Sequence, residues 1–427
     1  MSKIHHHQLK LSSRFSDGIM FLSGMLATFA ISWFFPSIML PSSNSVLSMS
    51  PSLIPPFVAS KLNPVNLTTF YDDPNLNYTM DAPIKNWDEK RQHWLSTHPS
   101  FSESKDRVLM VTGTQPKPCS NPDGDHFLLR LFKNKVDYCR IHGHDIFYNN
   151  VLLHPGMTGF WAKYPLVKAA MLAHPEVEWI WWVDSDAVFT DMDFDLPLEK
   201  YKDYNLVAYG WPDVIFKQKS AMGVNAGVFL IRNCQWSLDM IERWASFGPQ
   251  TADYAKWGKV QQSMFFDKTD SESDDQTALT YMLLVEKEQW GDKIHIESEY
   301  YFQGYWLSIV DKYENVTNHY REIEDKEPEL RMKFAEKAGE IYRAKWQKYL
   351  AGANTGGYTD GSWRRPFMTH FTGCEPCSGK HNPMYSAEAC RGNLVRALNF
   401  ADSQVLRNFG YTRRDITNSS SVEPLYY

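Results

Sequence analysis

Short apolar runs alternate with amphipathic stretches through the middle of this chain of 427 residues. The runs are almost free of polar side chains, which is typical of strands buried in a parallel sheet. They lie at residues 108–113, 145–148, 179–183, 205–209, 224–231 and 367–371. The amphipathic stretches have helical spacing and lie at residues 125–142, 161–173, 235–244, 276–285 and 387–400. Strands that alternate with helices predict an α/β fold whose ligands bind beyond the carboxyl ends of the strands.

The same pattern divides the chain into regions. Residues 41–70 are rich in Ser and Pro, which predicts an extended stem. One folded domain is predicted over residues 71–411, and residues 412–427 are expected to form a C-terminal tail. Within the domain, residues 320–350 interleave acidic and basic side chains, which predicts a solvated surface helix.

The N-terminal region predicts a membrane anchor. Residues 18–40 are uncharged and mostly apolar, and the segment is long enough to cross the hydrocarbon core as a helix. Lys3, Lys10 and Arg14 precede it, so the positive-inside rule puts residues 1–17 in the cytosol and the rest of the chain in the lumen. A cleavable signal peptide is the alternative, but no clear small-residue cleavage site follows the apolar run.

A lumenal domain is expected to carry disulfides and N-linked glycans. Asn-X-Ser/Thr tripeptides follow the predicted anchor, and their acceptor residues are Asn66, Asn77, Asn315 and Asn418. The six cysteines allow many pairings, among which the sequence does not choose. Cys374 and Cys377 have the spacing of a redox or zinc motif, but without a second such pair structural bridging is favoured.

The charge of the chain restricts its partners. The net charge is −6 and the sequence pI is about 6.2. No global basic surface is therefore expected, and a nucleic-acid partner is not predicted. The only membrane contact expected is the single N-terminal helix.

The strongest chemical signal follows the apolar run at 179–183. Asp184, Ser185 and Asp186 come directly after it, at the edge of the sheet where ligands are expected. Two carboxylates with this spacing suit a hard divalent cation, Mn²⁺ or Mg²⁺. Such an ion would bridge the diphosphate of a nucleotide-sugar and neutralise the charge that builds on the leaving group. The sequence therefore predicts a metal-dependent glycosyltransferase.

Two further positions are candidates for this site. His370 lies near the end of the last apolar run, and imidazole is an acceptable third ligand, although a core histidine fits the sequence equally well. Asp274 and Asp275 stand at a predicted helix start, where N-capping explains only one of the two acids. The other reading is that they position the donor sugar or the acceptor.

Two further features of the sequence are a glycine within a strand and a second acidic group. Gly227 interrupts an apolar strand, which indicates either a close backbone approach to a ligand or a bulge. Asp191, Asp193 and Asp195 form a second acidic group, and we interpret it as a solvated loop rather than a metal site.

These motifs resemble those of the plant glycosyltransferase family 34, which includes xyloglucan α-1,6-xylosyltransferases and galactomannan α-1,6-galactosyltransferases. The resemblance covers roughly residues 71–411 of the chain. It rests on residues 132–143, 161–179, 182–187, 225–227, 273–276, 304–306 and 370–374. The residues at 86–91 and 374–380 are similar to those of the galactomannan galactosyltransferase-like branch.

The resemblance implies a GT-A fold, which is Rossmann-like with a mostly parallel sheet and flanking helices. It further implies Golgi residence, a UDP-sugar donor, Mn²⁺ dependence and retention of anomeric configuration. Asp184 and Asp186 would be metal ligands, with His370 completing the site. The implied nucleotide-sugar contacts are Thr112, Gly113, Asp137, Tyr138, Lys163, Ser185, Gly373 and Lys380. The implied catalytic residues, facing the donor sugar and the acceptor, are Asp274, Asp275 and Gln276.

One departure from the family pattern concerns the diphosphate. Xylosyltransferase members carry Lys directly after the first Cys of the late motif, and this chain has Glu375 there. Either Lys380 takes over that role or the donor is held differently. Retaining transfer by double displacement needs a carboxylate nucleophile, for which Asp275 is the nominee. The resemblance implies a front-face route instead, in which the leaving diphosphate helps to deprotonate the acceptor.

The expected function is transfer of galactose from UDP-galactose to a β-1,4-mannan backbone in α-1,6 linkage. One alternative is transfer of xylose from UDP-xylose to β-1,4-glucan. The other is a non-catalytic scaffold in a polysaccharide synthase complex. In the two catalytic cases the partner is a polysaccharide acceptor, whereas the scaffold would assemble with active transferases. Homo-oligomers or hetero-oligomers with other Golgi transferases are compatible with the sequence.

Overall fold

The computed structural model describes residues 76–102, 107–331, 339–357 and 361–425. The predicted anchor at 18–40 and stem at 41–70 lie outside these residues. Within the described part of the chain, no helix combines the length and the apolar character needed to cross a membrane.

The main sheet has six strands, which are β1 Val108–Gly113, β2 Asp145–Asn149, β3 Trp179–Val183, β5 Leu206–Gly210, β6 Val224–Arg232 and β7 Ile294–Glu297. Their order across the sheet is β2-β1-β3-β6-β5-β7. The sheet is mostly parallel, as expected, but β6 runs antiparallel to both of its neighbours. The N-terminal part of β6 therefore lies at the edge where β3 ends.

Short strands form two smaller sheets. One has the order β4-β9-β8, with β4 Ala187–Phe189, β8 Gly304–Tyr305 and β9 Met368–His370. The other is the hairpin of β10 Tyr411–Arg413 and β11 Val422–Pro424. This hairpin occupies the predicted C-terminal tail, where Arg413 and Ile416 are buried. Because β4 follows β3 after only three residues, the first small sheet extends the ligand edge of the main sheet.

Helices cover both faces of the main sheet. The longer ones are α1 Trp87–Thr97, α2 Gly124–His142, α3 Lys163–Ala173, α4 Gln235–Ala245, α5 Tyr254–Met264, α6 Asp275–Val285, α7 Tyr313–Lys326, α8 Gly339–Gly352 and α9 Ala387–Arg407. Single α-helical turns lie at Pro99–Ser102, Lys287–Trp290 and Trp306–Ile309. The 3-10 turns are Gly159–Ala162, Leu198–Tyr201, Gly291–Lys293, Val310–Lys312 and Pro328–Leu330, and Val214–Gln218 is a π-helical turn. This mixed sheet with flanking helices fits the expected GT-A fold class.

The alternation of side chains along β3 divides the core in two. Trp179, Trp181 and Val183 face one cluster, which α2, α7 and α9 cover. Ile180 and Trp182 face the other, which α3, α4 and α6 cover. All five side chains are buried, as expected of a strand that is covered on both faces.

The prediction of one solvated helix over residues 320–350 is wrong. Helix α7 ends before Pro328, which has no N–H to donate and disfavours helical geometry in the residue before it. The segment also contributes to the core. Tyr320 and Trp346 are both buried, and their rings stack at 4.7 Å.

The glycan-acceptor candidates in the described residues are accessible. Asn77, Asn315 and Asn418 are exposed, and Asn66 lies outside the described residues. Their glycosylation stays a prediction.

The two cysteines of the CxxC motif form separate disulfides. Cys119 bonds Cys377, and Cys374 bonds Cys390. The motif is therefore neither a redox pair nor half of a zinc site. Cys139 and Cys234 are free thiols.

Peptide mapping of the full-length protein without reduction is expected to recover the Cys119–Cys377 and Cys374–Cys390 links. Alkylation after denaturation is expected to label Cys139 and Cys234, because neither forms a disulfide in the fold. A peptide closed by a bond between Cys374 and Cys377 would contradict this pairing.

Candidate metal centre and active site

Three side chains from distant parts of the sequence meet at the end of β3. Asp184 and Asp186 follow that strand, and His370 ends β9, which pairs with β4 so that Ala187 lies opposite His370. His370 Nε2 lies 3.1 Å from Asp186 Oδ1 and 4.0 Å from Asp184 Oδ2. One ligand atom from each residue lies within 4.8 Å of the others. The sequence prediction that His370 joins the two acids agrees with this geometry.

The donor atoms fit a divalent cation. Two carboxylates and one imidazole are a set that Mn²⁺ accepts readily. The other ring nitrogen of His370, Nδ1, lies 3.0 Å from the hydroxyl of Thr372. An outer partner of this kind fixes the ring orientation and leaves Nε2 facing the carboxylates.

Gly227 makes this convergence sterically possible. A Cβ at this position would lie 2.5 Å from Cε1 of His370 and 2.7 Å from Oδ2 of Asp184. Its backbone also takes part, since its carbonyl accepts a hydrogen bond from the Asp184 N–H at 2.9 Å. The pairing of β5 with β6 shifts register beside this residue, between Ala208 and Tyr209. The bulge interpretation of Gly227 therefore agrees with the structure, whereas its close approach to a ligand stays a prediction.

Asp186 and His370 each favour the charged form of the other. Burial opposes ionisation of Asp186, but the charge and hydrogen bond of His370 outweigh it and hold the pKa of Asp186 below its ordinary value. Burial likewise opposes protonation of His370, and Asp186 outweighs it, so the pKa of His370 is raised. A cation bound between them would displace the imidazole proton, because a ligating histidine must be neutral.

Lys135 stabilises the turn that contains the two aspartates. Its ammonium donates to the carbonyls of Ser185 at 2.9 Å and Ala187 at 2.8 Å. The side chain is fully buried, and burial lowers its pKa to about 8 against the opposing charges of Asp186 and Asp184. Sequence reasoning missed this residue, because a lysine within an amphipathic helix usually faces solvent.

Lys163 joins the metal centre to the start of α6. Its buried ammonium lies 2.6 Å from Asp275 Oδ2 and 3.6 Å from Asp184 Oδ1, and it donates to the Ala226 carbonyl at 2.9 Å. Burial opposes its charge, but Asp184 and Asp275 outweigh it and raise the pKa of Lys163. Burial raises the pKa of Asp275 to about 6, although Lys163 opposes this shift. Asp184 also accepts from the Trp182 indole at 2.7 Å.

The two acids at the start of α6 have different roles. Asp274 is the N-cap, because it accepts from the backbone N–H of Thr277 at 2.7 Å, and Lys268 binds its other oxygen at 2.6 Å. Asp275 turns inward to Lys163. The N-cap interpretation therefore explains Asp274, and the position of Asp275 beside the metal centre explains the second acid. Gln276 follows and is partly exposed.

The implied nucleotide contacts are only partly brought together. Thr112 and Gly113 end β1 at the ligand edge, but the Thr112 side chain is fully buried. A Cβ on Gly113 would lie 2.3 Å from the Asn149 carbonyl oxygen, so the neighbouring strand already requires glycine there. Their contact with a nucleotide stays a prediction.

The prediction for Tyr138 is wrong for its side chain. Tyr138 is fully buried, stacks on Phe189 at 4.1 Å and donates its hydroxyl to the Phe194 carbonyl at 2.7 Å. It is a core residue, and no surface of its ring is left for a nucleotide. Asp137 is nearly buried on the same helix, where Lys133 and Arg140 bind its carboxylate.

The loop after β9 carries the remaining candidates. Gly373 has a φ of 80°, a left-handed conformation that favours glycine, and it follows the hydroxyl that orients His370. Glu375 and Lys380 are both exposed on this loop and are joined through their backbones. The role of Lys380 at a diphosphate stays a prediction.

The second acidic group is not simply a solvated loop. Asp191 is buried, and Arg365 lies 3.9 Å from it and 3.1 Å from Asp193. Asp195 bonds His142 at 2.6 Å. Burial raises the pKa of Asp191 to about 6 despite Arg365. Asp191 and Asp193 are paired with Arg365, and Asp195 is hydrogen-bonded to His142; the local sequence could not reveal these distant partners.

Comparisons with known proteins agree on one family. Residues 104–381 match the model of the galactosyl transferase GMA12/MNN10 family. Glycosyltransferase 6 of Arabidopsis thaliana is 52% identical across 96% of this chain and 94% of its own. Galactomannan galactosyltransferase 1 of Cyamopsis tetragonoloba is 53% identical across 96% of this chain and 95% of its own. Xyloglucan 6-xylosyltransferase 1 of Arabidopsis thaliana is 44% identical across 83% of this chain and 69% of its own.

The likeness to one solved structure is distant. The galactosyltransferase LgtC, in complex with donor and acceptor sugar analogs, is 13% identical and has a TM-score of 0.28. The match covers 67% of this chain and 95% of that one. A likeness of this size adds nothing about the site.

Gly227→Ala is expected to weaken Mn²⁺ binding by at least about ten-fold, because the added Cβ would push Asp184 and His370 apart. Titration calorimetry on the full-length protein measures the affinity, and thermal unfolding checks the fold. Gly392→Ala is the matched control, since a Cβ there meets nothing within 4 Å. Equal Mn²⁺ affinity in wild type and Gly227→Ala would contradict the proposed ligand set.

Proposed function

Because the chain belongs to the galactosyl transferase GMA12/MNN10 family, we propose that it transfers galactose from UDP-galactose to a β-1,4-mannan backbone in α-1,6 linkage. The protein is a glycosyltransferase, as are its relatives. The galactosyl donor and mannan acceptor are supported by the 53% identity to a galactomannan galactosyltransferase.

The observation that carries the proposal is the metal centre joined to Asp275 through Lys163. Asp184, Asp186 and His370 would hold Mn²⁺ or Mg²⁺. When bound, the cation neutralises negative charge on the diphosphate as the sugar leaves. Lys163 keeps Asp275 and Asp184 at a fixed separation beside that position.

The hydrogen bonds of Asp275 favour the front-face route over a covalent intermediate. Its Oδ2 accepts from Lys163 at 2.6 Å and its Oδ1 accepts from the backbone N–H of Gln276 at 2.9 Å. Each oxygen keeps a second lone pair, but the bridge to the Lys163 ammonium withdraws negative charge from the carboxylate and weakens it as a nucleophile. We therefore assign Asp275 an electrostatic role, stabilising positive charge on the donor sugar, while Gln276 faces the substrates.

We also propose that the protein is a Golgi type II membrane protein. The uncharged segment at 18–40 and the basic residues before it support an anchor with a lumenal catalytic domain. Two disulfides and exposed glycan-acceptor asparagines are compatible with an oxidising, lumenal compartment.

A second candidate is xylosyl transfer from UDP-xylose to β-1,4-glucan. A relative named xyloglucan 6-xylosyltransferase shares 44% identity with this chain, which keeps that reading open. Glu375, where the resemblance implies Lys in xylosyltransferases, favours the galactosyl reading instead.

Full-length protein in detergent is tested with UDP-galactose and UDP-xylose against mannan and cello-oligosaccharides, with Mn²⁺. Transfer of galactose to mannan oligosaccharides is expected. Asp186→Asn is expected to lower it by on the order of 100-fold, because a metal ligand is lost. Exposed Asp203→Asn is the control.

The other outcomes of this matrix separate the alternatives. Xylose transfer to cello-oligosaccharides, without galactose transfer, would replace the proposal by the xylosyl reading. No transfer from either donor, by folded protein that binds Mn²⁺, would favour the non-catalytic scaffold.

A further inference from the structure

Two exposed apolar side chains lie on loops close to Gln276. Phe266 is 78% exposed and Met222 is 62% exposed, although each is large and apolar. Gln276 Nε2 donates to the Ala221 carbonyl at 3.2 Å and lies 3.7 Å from the Met222 sulfur. Since Asp275 precedes Gln276, Met222 lies near the group that Lys163 joins to the metal centre.

The loops that carry these side chains are fixed to one another. Asp267, beside Phe266, accepts from the Ala221 N–H at 2.9 Å and from the Ser220 hydroxyl. Ser220 in turn accepts from the N–H of Met222 at 3.0 Å. Burial opposes ionisation of Asp267, but these hydrogen bonds outweigh it and lower its pKa. Hydrogen bonds therefore join the loop that carries Phe266 to the loop that carries Met222.

The loop that carries Phe266 is also bonded to the start of α6. Lys268 follows Asp267 and binds the N-cap residue Asp274 at 2.6 Å. Phe266 and Met222 are thus positioned by the same residues that begin α6. The Phe266 ring buries little surface in the fold, and its loop is fixed beside the residues that begin α6, so the ring is available to a ligand there.

The chemistry of this surface suits a sugar polymer. A β-1,4-linked hexose chain presents flat patches of C–H groups on its ring faces, and an aromatic face stacks on such patches without needing charge. The thioether of methionine adapts to irregular apolar surfaces. Gln276 adds an amide beside them, and polar groups that orient the ligand are typical of such sites.

We propose that Phe266 and Met222 form a platform for the acceptor polysaccharide, beyond the sugar residue that receives the transferred unit. The inference rests on the proposed function for the identity of the ligand. The platform increases the affinity for long acceptors, while the metal centre binds the donor.

The kinetic test uses Phe266→Ala, Met222→Ala and the double variant, with β-1,4-mannan oligosaccharides of increasing length. The KM for long oligosaccharides is expected to rise by roughly ten-fold in Phe266→Ala, with a smaller rise for the shortest ones and no change in the KM for the donor. Phe266→Trp is expected to restore the wild-type KM. Phe409→Ala is the control, because Phe409 is also exposed, at 58%, but lies beyond the far end of α9. An unchanged acceptor KM at every length in the double variant would overturn the platform.

A binding measurement separates this inference from the proposed function. Affinity electrophoresis of the full-length protein through gels that contain mannan or glucan, with a chelator, reports acceptor binding without turnover. Retardation by either polymer that is lost in the double variant supports the platform even if no sugar is transferred, in which case only the proposed function fails. Wild type that neither polymer retards would overturn the platform.

Discussion

The absence of a side chain at Gly227 is the constraint on which the site depends. Asp184 and His370 approach each other across the space that a Cβ would fill. His370 reaches this point from 184 residues beyond Asp186, because β9 pairs with β4 directly after the two aspartates. The antiparallel direction of β6 then brings Gly227 to the end of β3. Sheet topology, rather than sequence proximity, assembles the metal centre.

Buried lysines complete the centre. Lys135 fixes the turn that carries the aspartates, and Lys163 connects Asp184 with Asp275. Desolvation offsets much of the attraction in buried ion pairs, so such pairs add little net stability. Their contribution here is positional, because they hold several carboxylates close together that would otherwise repel one another. The acidic site is therefore preorganised for a cation and for a charged donor.

The sequence predicted the elements better than their directions and contacts. Apolar runs located every strand of the main sheet except β7, but a run carries no sign of direction, so the reversal of β6 was missed. The sequence prediction missed the end of the helix before Pro328, because it relied on the charge pattern of residues 320–350. His370 was found through the family resemblance and its place at a strand end. The same resemblance misassigned Tyr138, because a motif does not distinguish residues that support a site from those that contact a ligand.

The most direct test of the account is the position of a bound ion. Crystals of the protein grown with Mn²⁺ would be measured at the manganese absorption edge. One anomalous peak is predicted between Asp184, Asp186 and His370, at about 2.2 Å from a carboxylate oxygen of each aspartate and from His370 Nε2. A peak at Asp191 and Asp193 instead, or a fully occupied ion that His370 does not touch, would contradict it.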